Sequence, residues 1–171
     1  MSVRPILPAE SPVLRQKAKH VRRFNESLRT LVADMLETMR AAGGIGLAAP
    51  QVGVSLRVAV IELPPDDESG EPAGLHVLCN PKIVKTGGEE TDEEGCLSVP
   101  GYVGAVTRAV TVTVKGFSGE GKPVRVKGEA LLARVLQHEL DHLDGILFID
   151  RLESLDKLRR LDEAEEDLPV G

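Results

Sequence analysis

Residues 136–145 read LQHELDHLDG, two histidines four apart with a glutamate directly after the first. On a helix, positions four apart lie one turn apart on the same face, so His138 and His142 can reach a single ion while Glu139 stands beside them. Two imidazole ligands with an adjacent carboxylate are the makings of a hydrolytic metal centre. They do not fix the reaction, because a catalytic metal takes a third protein ligand whose identity differs between enzyme classes. In the common zinc endopeptidases that ligand is a Glu or His beyond the helix. Here no histidine follows, only Asp144, Asp150, Glu153 and a few later acids. Upstream, EEGCLSVP (93–100) presents Cys96 among turn and strand signals. A thiolate with two imidazoles makes an S,N,N site and leaves a fourth position open for water.

A second stretch of interest is GGIGLAAPQVG, residues 43–53. Its glycines permit close backbone approach, and Ala48 and Ala49 leave space for a ligand against the loop. It is not a phosphate loop, since it lacks the Lys-Ser/Thr ending and does not run from strand to helix. The other cysteine, Cys79, sits in the apolar run LHVLCNP and reads as a buried structural thiol.

The elements that must position these groups fit in one domain. A chain of 171 residues, 42% hydrophobic, supports a single core. Its net charge of −6 argues against a sequence-independent nucleic-acid binder, which needs excess Lys and Arg. No apolar run approaches the ~18 residues of a membrane span, and MSVRPILPAESPVLRQ lacks the apolar core of a signal peptide. The expectation is a soluble cytoplasmic protein without membrane contact. Residues 25–42 carry Leu28, Leu31, Val32, Met35, Leu36 and Met39 at helical spacing, with Asn25 or Ser27 able to cap the start and Gly43 and Gly44 to stop it. LRVAVIEL (56–63), HVLCNPKIV (76–84), VTVTVKGF (110–117) and KPVRVKG (122–128) have strand composition, the last two joined by SGEG as a hairpin. PPDDESGEPAG between the first two marks a surface loop. A second helix runs from about Glu129 to Leu143, ended by Gly145, and places Leu131, Val135, His138 and His142 on one stripe. Residues 153–165 are helix-competent and precede an acidic tail. The fold class is α+β, mostly antiparallel sheets packed around a central helix that carries the HExxH motif. Residues 1–152 form one catalytic domain, and 153–171 a C-terminal helix and tail.

Together GIGLAAPQVG, EGCLSVP and QHELDHLDG resemble, in order and separation, the three signature motifs of the peptide deformylases. ILPAESPVLRQKAKHV and NPKI (80–83) are similar to that family's N-terminal Leu-Arg segment and Asn-Pro strand, so the likeness spans residues 4–152. The resemblance implies removal of the formyl group from the N-terminal formylmethionine of new polypeptides, with release of formate. It implies Cys96, His138 and His142 as ligands of one divalent ion, generally Fe²⁺ in the family, with Zn²⁺ and Ni²⁺ as alternatives. It makes Glu139 the proton acceptor, and the Gln51 side-chain amide and Leu97 N–H the donors to the oxyanion, with Gly46 beside them. Ile45, Gly46, Leu131 and Val135 are expected around the methionine side chain, and Glu94 is counted with the substrate-binding residues. Asp141 is either an acceptor for a ligand N–H or a solvent-facing acid. The sequence departs from the more familiar bacterial pattern at GYVGAV (101–106), which lacks a substrate-holding arginine, at Arg134, where an apolar residue is common, and at Asp92, which replaces an aliphatic. Some members dock on the ribosome through a basic C-terminal helix. Here Lys157, Arg159 and Arg160 are followed by acids, which weighs against that partner. Two other readings stay open, an HExxH endopeptidase and a metal-stabilised binding protein without turnover.

Overall fold

The computed structural model describes residues 2–64, 74–161 and 170–171. In chain order the main elements are α1 (Glu26–Ala41), β1 (Gly46–Ala48), β2 (Val58–Glu62), β3 (Leu75–Gly87), β4 (Glu90–Cys96), β5 (Val99–Arg108), β6 (Thr111–Phe117), β7 (Pro123–Glu129), α2 (Ala130–Leu143) and β8 (Arg159–Arg160). Two antiparallel sheets result, one of five strands in the order β1-β2-β3-β6-β7 and one of three in the order β4-β5-β8.

The larger sheet is covered on both faces, and the alternation of its side chains shows how. On β2, Val58 and Val60 pack with Leu31, Met35 and Met39 of α1. Ile61, facing the other way, packs with Ala133, Val135, Leu136 and Leu140 of α2. A strand buried on both faces has no use for polar residues, which is why VAVI reads as a continuous apolar run. The two helices were legible for the same reason. Asn25 caps α1, its Oδ1 accepting from Leu28 N–H at 3.1 Å.

Toward the smaller sheet α2 presents polar groups. Arg134 donates to the backbone oxygens of Val106 at 2.8 Å and Glu90 at 2.9 Å. Gln137 exchanges two hydrogen bonds with the backbone of Ala109. The helix is thus central, as expected, with one side in hydrocarbon and the other threaded into sheet backbone.

The structure differs from the sequence reading in three places. The β4–β5 hairpin and β1 are strands that composition does not announce, since ETDEEG and GYVGA are rich in acids and glycine. The segment from 153 is not an α-helix over its described part; a 3-10 turn at Leu155–Lys157 is followed by β8, which pairs with Tyr102 and Val103 of β5. Most of the acidic loop and most of the tail, residues 65–73 and 162–169, lie outside the described residues.

Candidate active site

Three elements converge at one buried point. Helix α2 brings His138 and His142, the end of β4 brings Cys96, and the 3-10 turn Ala49–Val52 after β1 brings Gln51. One potential ligand atom from each of Cys96, His138 and His142 lies within 4.8 Å of the others. The Cys96 Sγ to His142 Nε2 distance is 3.4 Å, and the two Nε2 atoms are 3.2 Å apart. Three soft or borderline donors facing one another in a dry pocket are the arrangement a divalent cation of the Zn²⁺ or Fe²⁺ type fits. The two imidazoles differ in their surroundings. Burial works against a charge on His138, but hydrogen bonds to Cys96 and Glu94 lift its pKa well above the ordinary value. Burial and the neighbouring His138 hold His142 well below it.

Glu139 is fully buried, and among the described residues neither carboxylate oxygen has a hydrogen-bond partner. Burial, first of all, pushes its pKa up to about 7. A carboxyl group buried without a protein partner costs free energy that folding alone would not retain. Gly46 explains how the group is accommodated: a Cβ there would collide with Glu139 Oε2 and approach Val135 Cγ1 to 3.0 Å. Gln51 is also fully buried. Ala48 N–H donates to its Oε1 at 2.9 Å, which turns Nε2 toward Cys96 Sγ at 3.6 Å and Ser98 Oγ at 3.2 Å. The N–H of Leu97, next to Cys96, faces the same cleft.

Beside the ligands a small cavity of about 40 Å³ is lined by Ile45, Glu94, Leu131, Val135, His138 and Glu139, among others. Leu131 was expected on the buried stripe of α2. It is 41% exposed and forms the rim, whereas Val135 is buried. A larger hollow of about 740 Å³ between residues 19–23 and α1 holds no cluster of ligating groups.

Glu94, expected among the substrate-binding residues, lines the small cavity and is held by His138 and two arginines. Its Oε1 lies 2.9 Å from His138 Nδ1, and both oxygens take Arg108, with Oε2 also 2.7 Å from Arg134 Nη1. Burial raises its pKa, and the hydrogen bonds from Arg108 and His138 overcome that to hold it well below the usual carboxylate range. The charged Glu94 fixes the His138 ring with Nε2 toward Cys96 and His142. Asp141 meets neither expectation. It accepts from Arg108 at 2.6 Å and from Arg151 at 2.8 and 3.0 Å, and so supports His138 at two removes. Arg108 and Arg151 were not singled out from sequence, and Arg134 was noted only as a departure from the family pattern. The one signal was Arg134 at a position where an apolar residue is common.

Comparison with known proteins agrees with this geometry. The family model described as polypeptide deformylase matches residues 3–158. A peptide deformylase of Thermomicrobium roseum is 51% identical over 98% of this chain and 96% of its own length. The structure of the Ehrlichia chaffeensis peptide deformylase in complex with actinonin superposes with a TM-score of 0.86 at 39% identity, covering 92% of each chain. That of the Acinetobacter baumannii enzyme bound to Met-Ala-Ser gives 0.83 at 36% identity, covering 89% of this chain and all of the other. Fold and site define a metallohydrolase of the α+β class, one helix bringing two histidines and a carboxylate and one strand the thiol. The chain belongs to the polypeptide deformylase family. Its activity is the hydrolytic removal of the N-formyl group from the formylmethionine of newly made polypeptides.

Proposed function

We propose that Cys96, His138 and His142 hold one divalent ion per chain, Fe²⁺ in preference to Zn²⁺ or Ni²⁺, and that the surrounding residues divide the reaction as follows. The family association supports Fe²⁺, against the intrinsic affinity order, so supply rather than affinity selects the metal. When bound, the ion supplies Lewis acidity and lowers the pKa of a water molecule toward neutrality. Glu139 takes the proton of the attacking water and returns it to the departing amine, so that one side chain serves both transfers. Gln51 Nε2 and Leu97 N–H donate to the oxygen on which negative charge develops. Gly46 keeps the backbone close enough for the substrate to reach Glu139. Ile45, Leu131 and Val135 face the methionine side chain, with Leu131 at the solvent edge. The substrate is the formylmethionyl end of a nascent peptide in the cytoplasm, and the peptide seen in the Acinetobacter baumannii relative supports a peptide in this cleft.

The single observation that carries the reading is Glu139, fully buried and without a hydrogen-bond partner among the described residues, beside three converging ligand atoms. An endopeptidase of the helix-motif type has no need of Cys96 in the ligand set, and a binding protein without turnover has no need of Glu139. No helix among the described residues is long and apolar enough to cross a membrane. The described residues 155–161 form a turn and a strand, so the reading does not extend to docking on the ribosome through a basic helix there.

The test is protein prepared anaerobically with iron, assayed for formate release from formyl-Met-Ala-Ser beside an unformylated control, with elemental analysis in parallel. Formate from the formylated peptide alone is expected. One metal per chain with no formate overturns the assignment.

A further inference from the structure

The cleft beside the ligands already holds a piece of the chain. Ile45 N–H donates to Val170 O at 2.9 Å and Leu97 N–H to an oxygen of Gly171 at 3.1 Å, and His138 Nε2 lies 3.1 Å from that same oxygen. Gly171 is buried and lies so close to Glu139 that a Cβ on it would collide with Oε2. Val170 rests on Gly95, where a Cβ would meet its Cγ1 at 2.7 Å. The chain is also held at a second place, up to Leu161. Strand β8 adds to the edge of β5, Leu161 N–H donates to Gly101 O at 2.8 Å, and Leu161 and Val170 flank the same depression with Leu97 and Tyr102.

Successive backbone acceptors taken by N–H groups from two separate segments are how an extended peptide is recognised at a strand edge. The space left over, about 40 Å³, is far below the several hundred typical of a ligand cleft. Leu97 N–H is the donor assigned above to the substrate oxyanion, so the two occupants exclude each other.

We infer that the Val170–Gly171 segment is an intramolecular competitor of the substrate, occupying the Ile45 and Leu97 donors and the space beside Glu139, so that the chain exchanges between a self-occupied and an open cleft. The competition rests on the deformylase roles proposed above; the seating of the segment does not. A tethered segment acts at an effective concentration on the order of millimolar. Only the open fraction binds substrate, and apparent affinity falls by that fraction. The signature is a raised KM with an unchanged kcat.

Three metal-loaded proteins test this: the 171-residue chain, a chain ending at Leu161 that keeps β8, and Gly171→Leu, whose side chain has no room against Glu139. In the last two, KM for the formylated peptide is expected to fall about tenfold or more at constant kcat, as for a self-occupied fraction of about nine-tenths. Amide hydrogen exchange at Ile45 and Leu97 should quicken in both, and a free Leu-Pro-Val-Gly peptide should inhibit the shortened chain competitively. Equal KM and equal exchange in all three proteins overturn the inference. Faster exchange without formate from any of them upholds the seating and overturns the catalytic reading. Formate release with no change in exchange does the reverse.

Discussion

Gln51 shows how one side chain is aimed by its own loop. With Oε1 held by Ala48 N–H, its amide nitrogen has a fixed direction into the site. Gln51→Glu replaces a donor by a repelling acceptor where the proposed mechanism develops negative charge. We expect a loss on the order of 10²-fold or more in kcat with metal content retained, checked by steady-state kinetics and elemental analysis. Glu94 acts differently, through His138. Glu94→Gln removes the charge that pairs Arg108 and Arg134 and orients the imidazole. Breaking a buried pair costs about 3–5 kcal/mol, and losing the support of a ligand lowers metal affinity roughly 10–100-fold. Urea unfolding and chelator competition measure the two effects. A variant equal to the parent in both would show that Glu94 neither stabilises the fold nor supports the histidine ligand.

At the scale of the element, α2 has to satisfy two different surroundings. Leu136 and Leu143 are fully buried, with Leu136 packed among Val112, Val114 and Leu78 of the large sheet, while the polar side of the helix reaches the small sheet. Leu136→Ala therefore leaves a cavity in the layer that fixes the height of the helix. A loss of about 2–5 kcal/mol is expected, read as a lower urea midpoint, with metal stoichiometry unchanged in the folded protein. On the other face of the sheet Cys79 of β3 is fully buried. Burial, assisted by Glu120, pushes its thiol up to about 11. In the metal-loaded protein at pH 8 it should resist alkylation until denaturant is added. Rapid modification of Cys79 in the native state would mean that the α1 side of the sheet opens.

Across the whole molecule, residues 2–20 tie the layers together. Ser2 N–H and Arg4 Nε donate to Asp34 of α1 at 2.8 and 2.9 Å, Leu7 N–H to Gln51 O at 2.8 Å, and Ala18 N–H to Leu143 O at 2.8 Å. This strap holds α1, the Gln51 turn and α2 in one frame. The hydrogen bond from Ser2, then that from Arg4, keeps the Asp34 pKa below its ordinary value. A group with its pKa lowered by folding stabilises the protein above its unfolded pKa, and the contribution is lost as pH falls below that value. The fall in urea midpoint from neutral pH to about pH 3 should thus be smaller in Asp34→Asn than in the parent. Equal falls in the two proteins would show that the strap carries no acid sensitivity.

Much of the site is local, and what is local was legible. His138, Glu139 and His142 are defined by one helical turn, and β6 and β7 by alternation and a four-residue turn. Both periodicities follow from backbone geometry within a few residues. The β4–β5 hairpin gave weak signals because its outward face is acidic and its pairing, not its composition, makes it a strand. The pairing of the charges around His138 gave none. Glu94 meets Arg108 across 14 residues, Arg134 across 40, and Asp141 meets Arg108 across 33. By itself the sequence determined the helix with its two histidines and carboxylate, the cysteine and glutamine available to it, and through their order the family. Only the tertiary structure decided that Glu94 pairs with His138, Arg108 and Arg134, that Leu131 lies at the rim, and that Val170 and Gly171 enter the cleft. Spacing along the chain encodes which face a residue shares with near neighbours, whereas pairing between distant charges and segments depends on the path of the chain between them.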